Sequence, residues 1–316
     1  MEKIELRKVR DFGTLFNDSI TFLRVNFKSF FGIILKLAGP FIILTGLISG
    51  YMQSLQSKLV TSSLMPNYFG TYGGLFSANF IGTLCIFLLI YLLTTLVTSS
   101  TVCLYLKTYD KTPESELPIQ KESISPNLAS TCWKLFSNYL LLILIVVIGG
   151  AVVAALFAVL FMIPVLNVLV GIALVIGLLI VMPPMIYVVN ASSFIVVRDD
   201  ILITAAIKKA ITYMKGNFWW TWLLMFSVLI ALGTISGLFS LPLSILSIMK
   251  MFTRASGEPG DSHSLMFLIF GALSMIARML VVIPISTLFC VFNFYNHEEQ
   301  QEGTGLMSRI DELDVK

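Results

Sequence analysis

Long apolar runs separated by short polar segments dominate the hydrophobicity pattern of this chain. One stretch, from Leu135 to Val197, contains no Asp, Glu, Lys or Arg. A helix needs only about 20 apolar residues to cross the hydrocarbon core of a membrane, so this stretch alone predicts two spans. The whole pattern predicts six transmembrane helices, at about 29–53, 75–106, 136–163, 165–189, 219–249 and 265–295.

A second, helical pattern precedes every other apolar run. Apolar side chains recur at spacings of four, four, three and four residues, which places them on one face of a helix. The three stripes are Phe12, Phe16, Ile20, Leu23 and Phe27; Ile124, Leu128, Cys132, Leu135 and Tyr139; and Ile203, Ile207, Ile211, Met214 and Phe218. Their amphipathic composition is typical of helices that lie in the headgroup plane. We therefore predict interfacial helices at about 11–27, 125–135 and 200–216, with Asp11 as the first N-cap.

The residues that lead from each interfacial helix into its span also repeat. Residues 20–27 read ITFLRVNF, residues 211–218 read ITYMKGNF, and a weaker copy ends in Asn138-Tyr139. Any amphipathic helix repeats at three and four residues, but an Asn-aromatic pair in fixed register favours a true repeat. We predict that each asparagine bonds local backbone where helical continuity is lost. The predicted junction residues are Arg24, Asn26, Phe27, Asn138, Tyr139, Lys215, Asn217 and Phe218.

The composition of the chain indicates its protein class. With 57% apolar and only 12% charged residues, against about a quarter charged in soluble proteins, the chain is predicted to be an all-α polytopic membrane protein. Residues 1–296 form its single membrane domain, and an acidic tail, 297–316, is expected to be mobile or ordered by a partner. The charged N-terminus lacks the apolar core of a signal peptide, so the first span is expected to direct insertion.

Basic residues near the spans are strongly asymmetric. Sixteen Lys and Arg lie in the N-terminal arm, in 107–134, in 198–215 and in the tail, whereas the intervening loops hold only Lys58, Lys250 and Arg254. Since positive charge is retained on the cytoplasmic side, both termini and all three interfacial helices are predicted to face the cytoplasm.

The combination of a basic residue, one further residue, Asn-Phe and an apolar span resembles a known group. Together with six spans and prolines in the even-numbered helices, it is similar to the membrane domain of glycerophosphoryl diester phosphodiesterases and to related uncharacterised bacterial membrane proteins. The resemblance covers the membrane body only. It implies a membrane module without the enzyme and a place in the bacterial inner membrane.

Two basic residues lie inside predicted spans. Arg278 is well inside the sixth span, where an arginine costs about 2.5–3.5 kcal/mol on insertion scales. It is a candidate anion or lipid-phosphate site, or else it snorkels or satisfies nearby carbonyls. Lys36 is a second candidate, although its stem can snorkel. Pro183-Pro184 should kink or unwind the fourth span, and the freed carbonyls then need partners.

Other chemistry has little support in the sequence. No Asp or Glu lies within a predicted span, which argues against a proton- or sodium-coupled carrier with a midplane acid. His263 and His297 lack metal-ligand spacing and are predicted to be solvated loop residues, and the four cysteines have no CxxC spacing. We expect no catalytic residue, no metal, no cofactor and no nucleic-acid partner.

These patterns leave three functions open. The leading prediction is a non-enzymatic membrane subunit that acts as a scaffold, with lipids around it and protein partners at its cytoplasmic face. The alternative is an uncoupled transporter or lipid-handling protein with an anion site at Arg278. A membrane enzyme comes third.

Overall fold

The structure, a computed structural model, describes residues 3–62, 78–161, 167–255 and 264–303. Within these residues all regular secondary structure is helical. The α-helices are α1 (Phe12–Leu37), α2 (Gly39–Ser62), α3 (Ala78–Lys111), α4 (Leu128–Phe161), α5 (Asn167–Asp199), α6 (Ile203–Lys215), α7 (Phe218–Ala255) and α8 (Ser264–Glu302). Short 3-10 turns at Glu114–Glu116, Lys121–Ser123 and Ser125–Asn127 connect α3 to α4.

Five of these helices are long and apolar enough to cross a membrane, namely α3, α4, α5, α7 and α8. Helices α1 and α2 pass the same test as a pair, although they are bent by 67° at the break between them. The prediction of an all-helical protein with several apolar spans is therefore confirmed. The arrangement of the spans as three hairpins stays a prediction.

The first junction differs from the prediction. Asp11 caps α1 as expected, because its carboxylate accepts the Thr14 N–H at 2.7 Å. Helix α1 then continues through Lys28 and ends at Leu37, so the break at Ala38 falls inside the predicted span 29–53. Pro40 explains why the helix breaks at Ala38, because its ring would clash with the carbonyl four residues earlier and it has no backbone N–H to donate.

The other two junctions differ from each other. Helix α4 runs without a break from Leu128 through Asn138 to Phe161, so the predicted boundary at 135–136 is absent; no proline interrupts this stretch. Helix α6 ends at Lys215 and α7 begins at Phe218, close to the predicted boundary. Only this third copy loses helical continuity at its asparagine.

The packed face of α1 is displaced by one residue from its predicted apolar stripe. Over residues 12–30 the buried positions are Leu15, Ser19, Phe22, Asn26 and Phe30, whereas Phe27 is 57% exposed. Helix α6 follows the same register, with Ala206, Ala210 and Tyr213 buried. Counted back from the asparagine of the repeat, the positions at four, seven and eleven residues are therefore buried in both helices. The apolar stripe itself lies beside the packed face.

The described residues fall into two compact units. Unit 1 comprises 3–30, 102–161, 167–230 and 286–303, and unit 2 comprises 31–62, 78–101, 231–255 and 264–285. In unit 1 an aromatic cluster joins α1 to α3 and α8. The Phe22 ring lies 4.8 Å from the Tyr109 ring and 5.7 Å from the Phe292 ring, in edge-to-face geometry.

Unit 2 contains a close helix crossing that depends on small residues. Gly46 and Gly50 are spaced as in GxxxG motifs, which allow helices to approach closely in membranes. A Cβ added to Gly50 would lie 2.1 Å from the Leu268 carbonyl oxygen, and one added to Gly46 would lie 2.5 Å from Ile276 Cγ1. The crossing of α2 with α8 therefore excludes even an alanine at Gly50.

Proline in α5 does not unwind the helix, which is continuous from Asn167 to Asp199. The N–H missing at Pro183 would have bonded the Leu179 carbonyl four residues earlier. That carbonyl instead accepts the Trp222 indole N–H at 3.1 Å. The prediction that a freed carbonyl needs a partner is confirmed here.

Candidate functional site

Charged side chains converge at the ends of α3, α5 and α8 in unit 1. They surround a cavity of about 420 Å³, which we call the charged cleft. Every lining residue carries a formal charge, five of them positive and four negative: Arg7, Lys107, Asp110, Lys111, Arg198, Asp199, Lys209, Glu298 and Glu302. These residues come from the N-terminal arm, from three helix ends and from α6.

The centre of the charged cleft is a buried ion pair. The Arg198 guanidinium donates to both carboxylate oxygens of Glu298 at 2.6 Å, and the two side chains are only 10% and 5% exposed. Its remaining N–H groups reach Asp199 at 2.6 and 3.1 Å. The guanidinium carbon also lies 4.8 Å from the centre of the Phe294 ring and 5.3 Å from that of Tyr295. Arginine suits this place because its planar fork can serve two carboxylates and an aromatic face together.

Helix α6 joins the same network. Lys209 Nζ lies 2.9 Å from Asp199 and 3.6 Å from Glu298, so it completes the charge balance of the cluster. The Tyr213 hydroxyl donates to Glu302. Burial, followed by that hydrogen bond, raises the pKa of Tyr213, so the phenol stays protonated at neutral pH.

The N-terminal arm is fixed to this cluster by its own contacts. Arg7 donates to Asp110 at 2.9 Å, and the Tyr295 hydroxyl donates to the same carboxylate at 3.1 Å. Burial lowers the pKa of Arg7, but the hydrogen bond and the charge of Asp110 outweigh it and raise the pKa. Arg10, which is 4% exposed, donates to Asp18 at 2.8 Å and its backbone N–H to Asn296 at 2.7 Å.

The predicted acidic tail, 297–316, does not begin at residue 297. Residues 297–302 belong to α8, and His297, Glu298 and Glu299 are buried; residues 304–316 lie outside the described part of the chain. A run of acidic residues at the end of a span is typical of a solvated tail, but here basic partners on α5 and α6 neutralise Glu298. His297 was also predicted to be solvated, which is wrong. Its ring nitrogens lie 2.8 Å from Thr221 Oγ1 and 3.3 Å from Asn217 Nδ2.

A second cavity, of about 380 Å³, adjoins the same helix ends. We call it the lysine cavity, and it is lined mainly by lysines and by hydroxyl-bearing residues: Leu104, Lys107, Thr108, Lys111, Thr112, Pro113, Glu116, Ser123, Asn127, Ser130, Thr131, Lys134 and Val197. Lys107 donates to the Val197 carbonyl at 2.6 Å. Lys134 pairs with Asp200, and this hydrogen bond lowers the pKa of Asp200.

Neither cavity contains the residues predicted from the sequence to bind anions. Arg278 is exposed, and its guanidinium donates to Ser240 on α7 within unit 2. Lys36 is exposed in the last turn of α1. There its charge complements the negative end of the helix dipole, which gives it a structural role.

The predicted junction asparagines have three different partners. Asn26 donates to the Phe22 carbonyl at 3.1 Å inside a continuous helix, and Asn138 donates to Ser193 on α5 at 3.0 Å. Asn217, at the one real break, contacts Gln300 and His297 on α8 rather than local backbone. The proposed local role therefore holds only for Asn26, where no break occurs. Of the remaining junction residues, Arg24, Phe27 and Lys215 are exposed, and Tyr139 and Phe218 are half-buried.

Sequence reasoning missed both cavities, although signals for them are present. Arg198-Asp199 directly follows the apolar run 135–197, a place where charged residues usually mark only the return to water. On the second amphipathic segment Asn127, Ser130, Thr131 and Lys134 recur at helical spacing and form its polar face. Among the residues that the structure describes, no group of three or more His, Cys, Asp or Glu side chains is arranged to hold a metal ion.

Compared with family models, with curated proteins and with solved structures, the chain has no match in any of the three. The resemblance to the phosphodiesterase membrane-domain group therefore stays a prediction, and the function has to be argued from the geometry of unit 1.

Proposed function

We propose that this protein is a non-enzymatic integral membrane subunit that assembles with other proteins through the charged face of unit 1. The observation that carries the proposal is the ion-paired network around the charged cleft. It joins five segments of the chain into one polar surface, with Arg198 and Glu298 buried at its centre.

Fixed charges suit recognition for two physical reasons. Side chains that are already ordered lose little entropy when a partner binds. Charges of both signs on one surface select a partner with the complementary pattern and exclude others. The aromatic contacts of Arg198 and the ion pair of Arg7 with Asp110 hold this pattern in place before any partner arrives.

The proposal includes a location. The excess of Lys and Arg in the N-terminal arm, in 107–134 and in 198–215 supports a cytoplasmic position for the charged face. The protein would lie in the bacterial inner membrane with both termini in the cytoplasm. Membrane lipids would surround the apolar helices, and protein partners would contact the charged face.

The rival function, an uncoupled transporter or lipid-handling protein, was tied to Arg278. That residue is exposed and lines neither described cavity. The geometry therefore supports assembly at the charged face better than transport at Arg278.

Photo-crosslinking in native membranes tests the proposal. A photoreactive residue in place of Arg7, on the rim of the charged cleft, should give discrete crosslinked products that mass spectrometry identifies as one partner. The same residue in place of Lys215, which is exposed but does not line the cleft, is the matched control. A protein that migrates alone from native membranes and gives no product at Arg7 would refute assembly.

A further inference from the structure

The lysine cavity has a composition that the charged cleft lacks. Its lining carries three lysines and one acidic residue, Glu116, together with hydroxyl groups from both sides. Lys111 is exposed and has no carboxylate within 4 Å among the described residues. Lys107 and Lys111 are also four residues apart on α3, so their like charges repel along one helix face. Lys111 therefore brings a positive charge to this cavity without an ion-pair partner among the described residues, whereas Lys134 is paired with Asp200.

A second observation is independent of these charges. Thr131 lines the cavity and is only 6% exposed, yet its hydroxyl makes no hydrogen bond to any residue that the structure describes. A threonine in a helix commonly bonds the carbonyl four residues earlier. Thr131 Oγ1 is not among the fully enclosed side-chain atoms that lack a partner, so the hydroxyl is open to the cavity and available to a ligand there.

The geometry of α4 adds further donors. Ser130, Thr131 and Lys134 lie on one face of its first turns, Asn127 lies in the 3-10 turn just before them, and all four line the cavity. The start of α4 carries the positive end of its helix dipole, and the Leu128 N–H there already bonds the Ser125 carbonyl of the preceding 3-10 turn. Amide, hydroxyl and ammonium donors at a helix start are the groups that bind phosphate in many proteins.

The residues before Asn138 differ from the residues at equivalent positions in the other two copies of the repeat. Four and seven residues before the asparagine, α1 has Phe22 and Ser19, both buried in the protein. Before Asn138, the residues at four and seven positions are Lys134 and Thr131 on α4, and the residue at eleven positions is Asn127 in the 3-10 turn that precedes α4. All three line the cavity. Thr131 is itself only 6% exposed, but in this copy of the repeat the three positions line a polar cavity, whereas in α1 and α6 they pack against protein.

From these observations we propose that the lysine cavity binds a phosphate group, either free in solution or on the headgroup of an anionic lipid. Lys107, Lys111 and Lys134 supply the charge, and Thr131 supplies a hydroxyl donor. Asp200 is 73% exposed at its side chain and pairs with Lys134 until a phosphate displaces it.

The test uses the full chain in nanodiscs of phosphatidylcholine, with inorganic phosphate and phosphatidylglycerol as separate probes. Isothermal titration measures phosphate binding, and native mass spectrometry measures retained phosphatidylglycerol. For whichever probe binds, Lys111→Gln should weaken the affinity by about tenfold or more, as expected for loss of a charge-assisted hydrogen bond. Lys208→Gln removes the same charge from an exposed position on α6 outside the cavity and should leave binding unchanged.

Thr131→Val keeps the shape of the side chain and provides a second arm. It should weaken binding by about threefold or more without loss of folding. Phosphate binding alone identifies a soluble ligand, and phosphatidylglycerol retention alone identifies a lipid headgroup; both support the site. Absence of binding by either probe, or equal binding in Lys111→Gln and Lys208→Gln, overturns it.

Discussion

Replacement of Glu298 by glutamine tests whether the charged cleft is the fixed structure on which the proposed function depends. Both partners of the Arg198–Glu298 pair are almost fully buried and joined by two 2.6 Å hydrogen bonds. Glu298→Gln keeps the size of the side chain but leaves the arginine charge without its main counter-ion. Removal of one partner from a buried pair typically costs about 3–5 kcal/mol.

The structure places the expected value at the low end of that range. Asp199 still accepts two hydrogen bonds from the guanidinium, at 2.6 and 3.1 Å, and the aromatic rings remain in contact. We therefore expect a loss of about 3 kcal/mol in the free energy of unfolding. The assay is reversible unfolding in mixed detergent micelles, read out by tryptophan fluorescence.

A double-mutant cycle separates the pair from its surroundings. Arg198→Met combined with Glu298→Leu should be less destabilised than the sum of the two single variants, by about 2 kcal/mol. Asp200→Asn is the matched control, because it breaks the Lys134–Asp200 pair, whose side chains are 42% and 73% exposed. Exposed pairs contribute little, so no measurable change is expected. Additive effects in the cycle, or an equal loss in Asp200→Asn, would refute the reasoning.

Three further predictions use the same unfolding assay. Gly50→Ala should destabilise the α2–α8 crossing by about 1–3 kcal/mol, because its Cβ meets backbone, whereas Gly82→Ala, with nothing within 4 Å, should not destabilise the protein. Trp222→Phe should lower the free energy of unfolding by about 1 kcal/mol, because the Leu179 carbonyl, which Pro183 leaves without a backbone donor, then loses the indole N–H as well. Trp219→Phe, at an indole that is 68% exposed, should leave stability unchanged. Asn138→Ala should cost about 1–3 kcal/mol, because the asparagine is fully buried and bonded to α5.

The coarse fold could be predicted from the sequence because membrane crossing depends on length and composition alone. The apolar run 135–197 needed no tertiary information to indicate two spans, and Asp11 signalled the start of α1. The break at Ala38 was missed because the apolar pattern passes through it unchanged, although Gly39-Pro40 marks the place. Local sequence therefore located helices better than it located their ends.

The site could not be predicted because it depends on which helix ends meet. Arg198 and Glu298 are a hundred residues apart, and each alone is typical of a solvated boundary residue. Arg278 was predicted as a site because the sequence alone shows that it is a charged residue within an apolar run. The sequence does not reveal that a charged residue has its partner on another helix. Nor does it reveal that His297 is buried and in contact with Thr221 on α7.

The shared register of α1, α4 and α6 predicts that equivalent positions differ in what they tolerate. Ala210 on α6 is fully buried against protein, so Ala210→Val should overpack and cost about 1–3 kcal/mol of unfolding free energy. Thr131 holds the matching position on α4, but its hydroxyl faces a cavity and has no partner among the described residues. Thr131→Val should therefore leave stability unchanged in the absence of phosphate while weakening phosphate binding. If Thr131→Val destabilises the protein as much as Ala210→Val does, the α4 face is a packing surface like the other two, and the assignment of the lysine cavity to ligand binding fails.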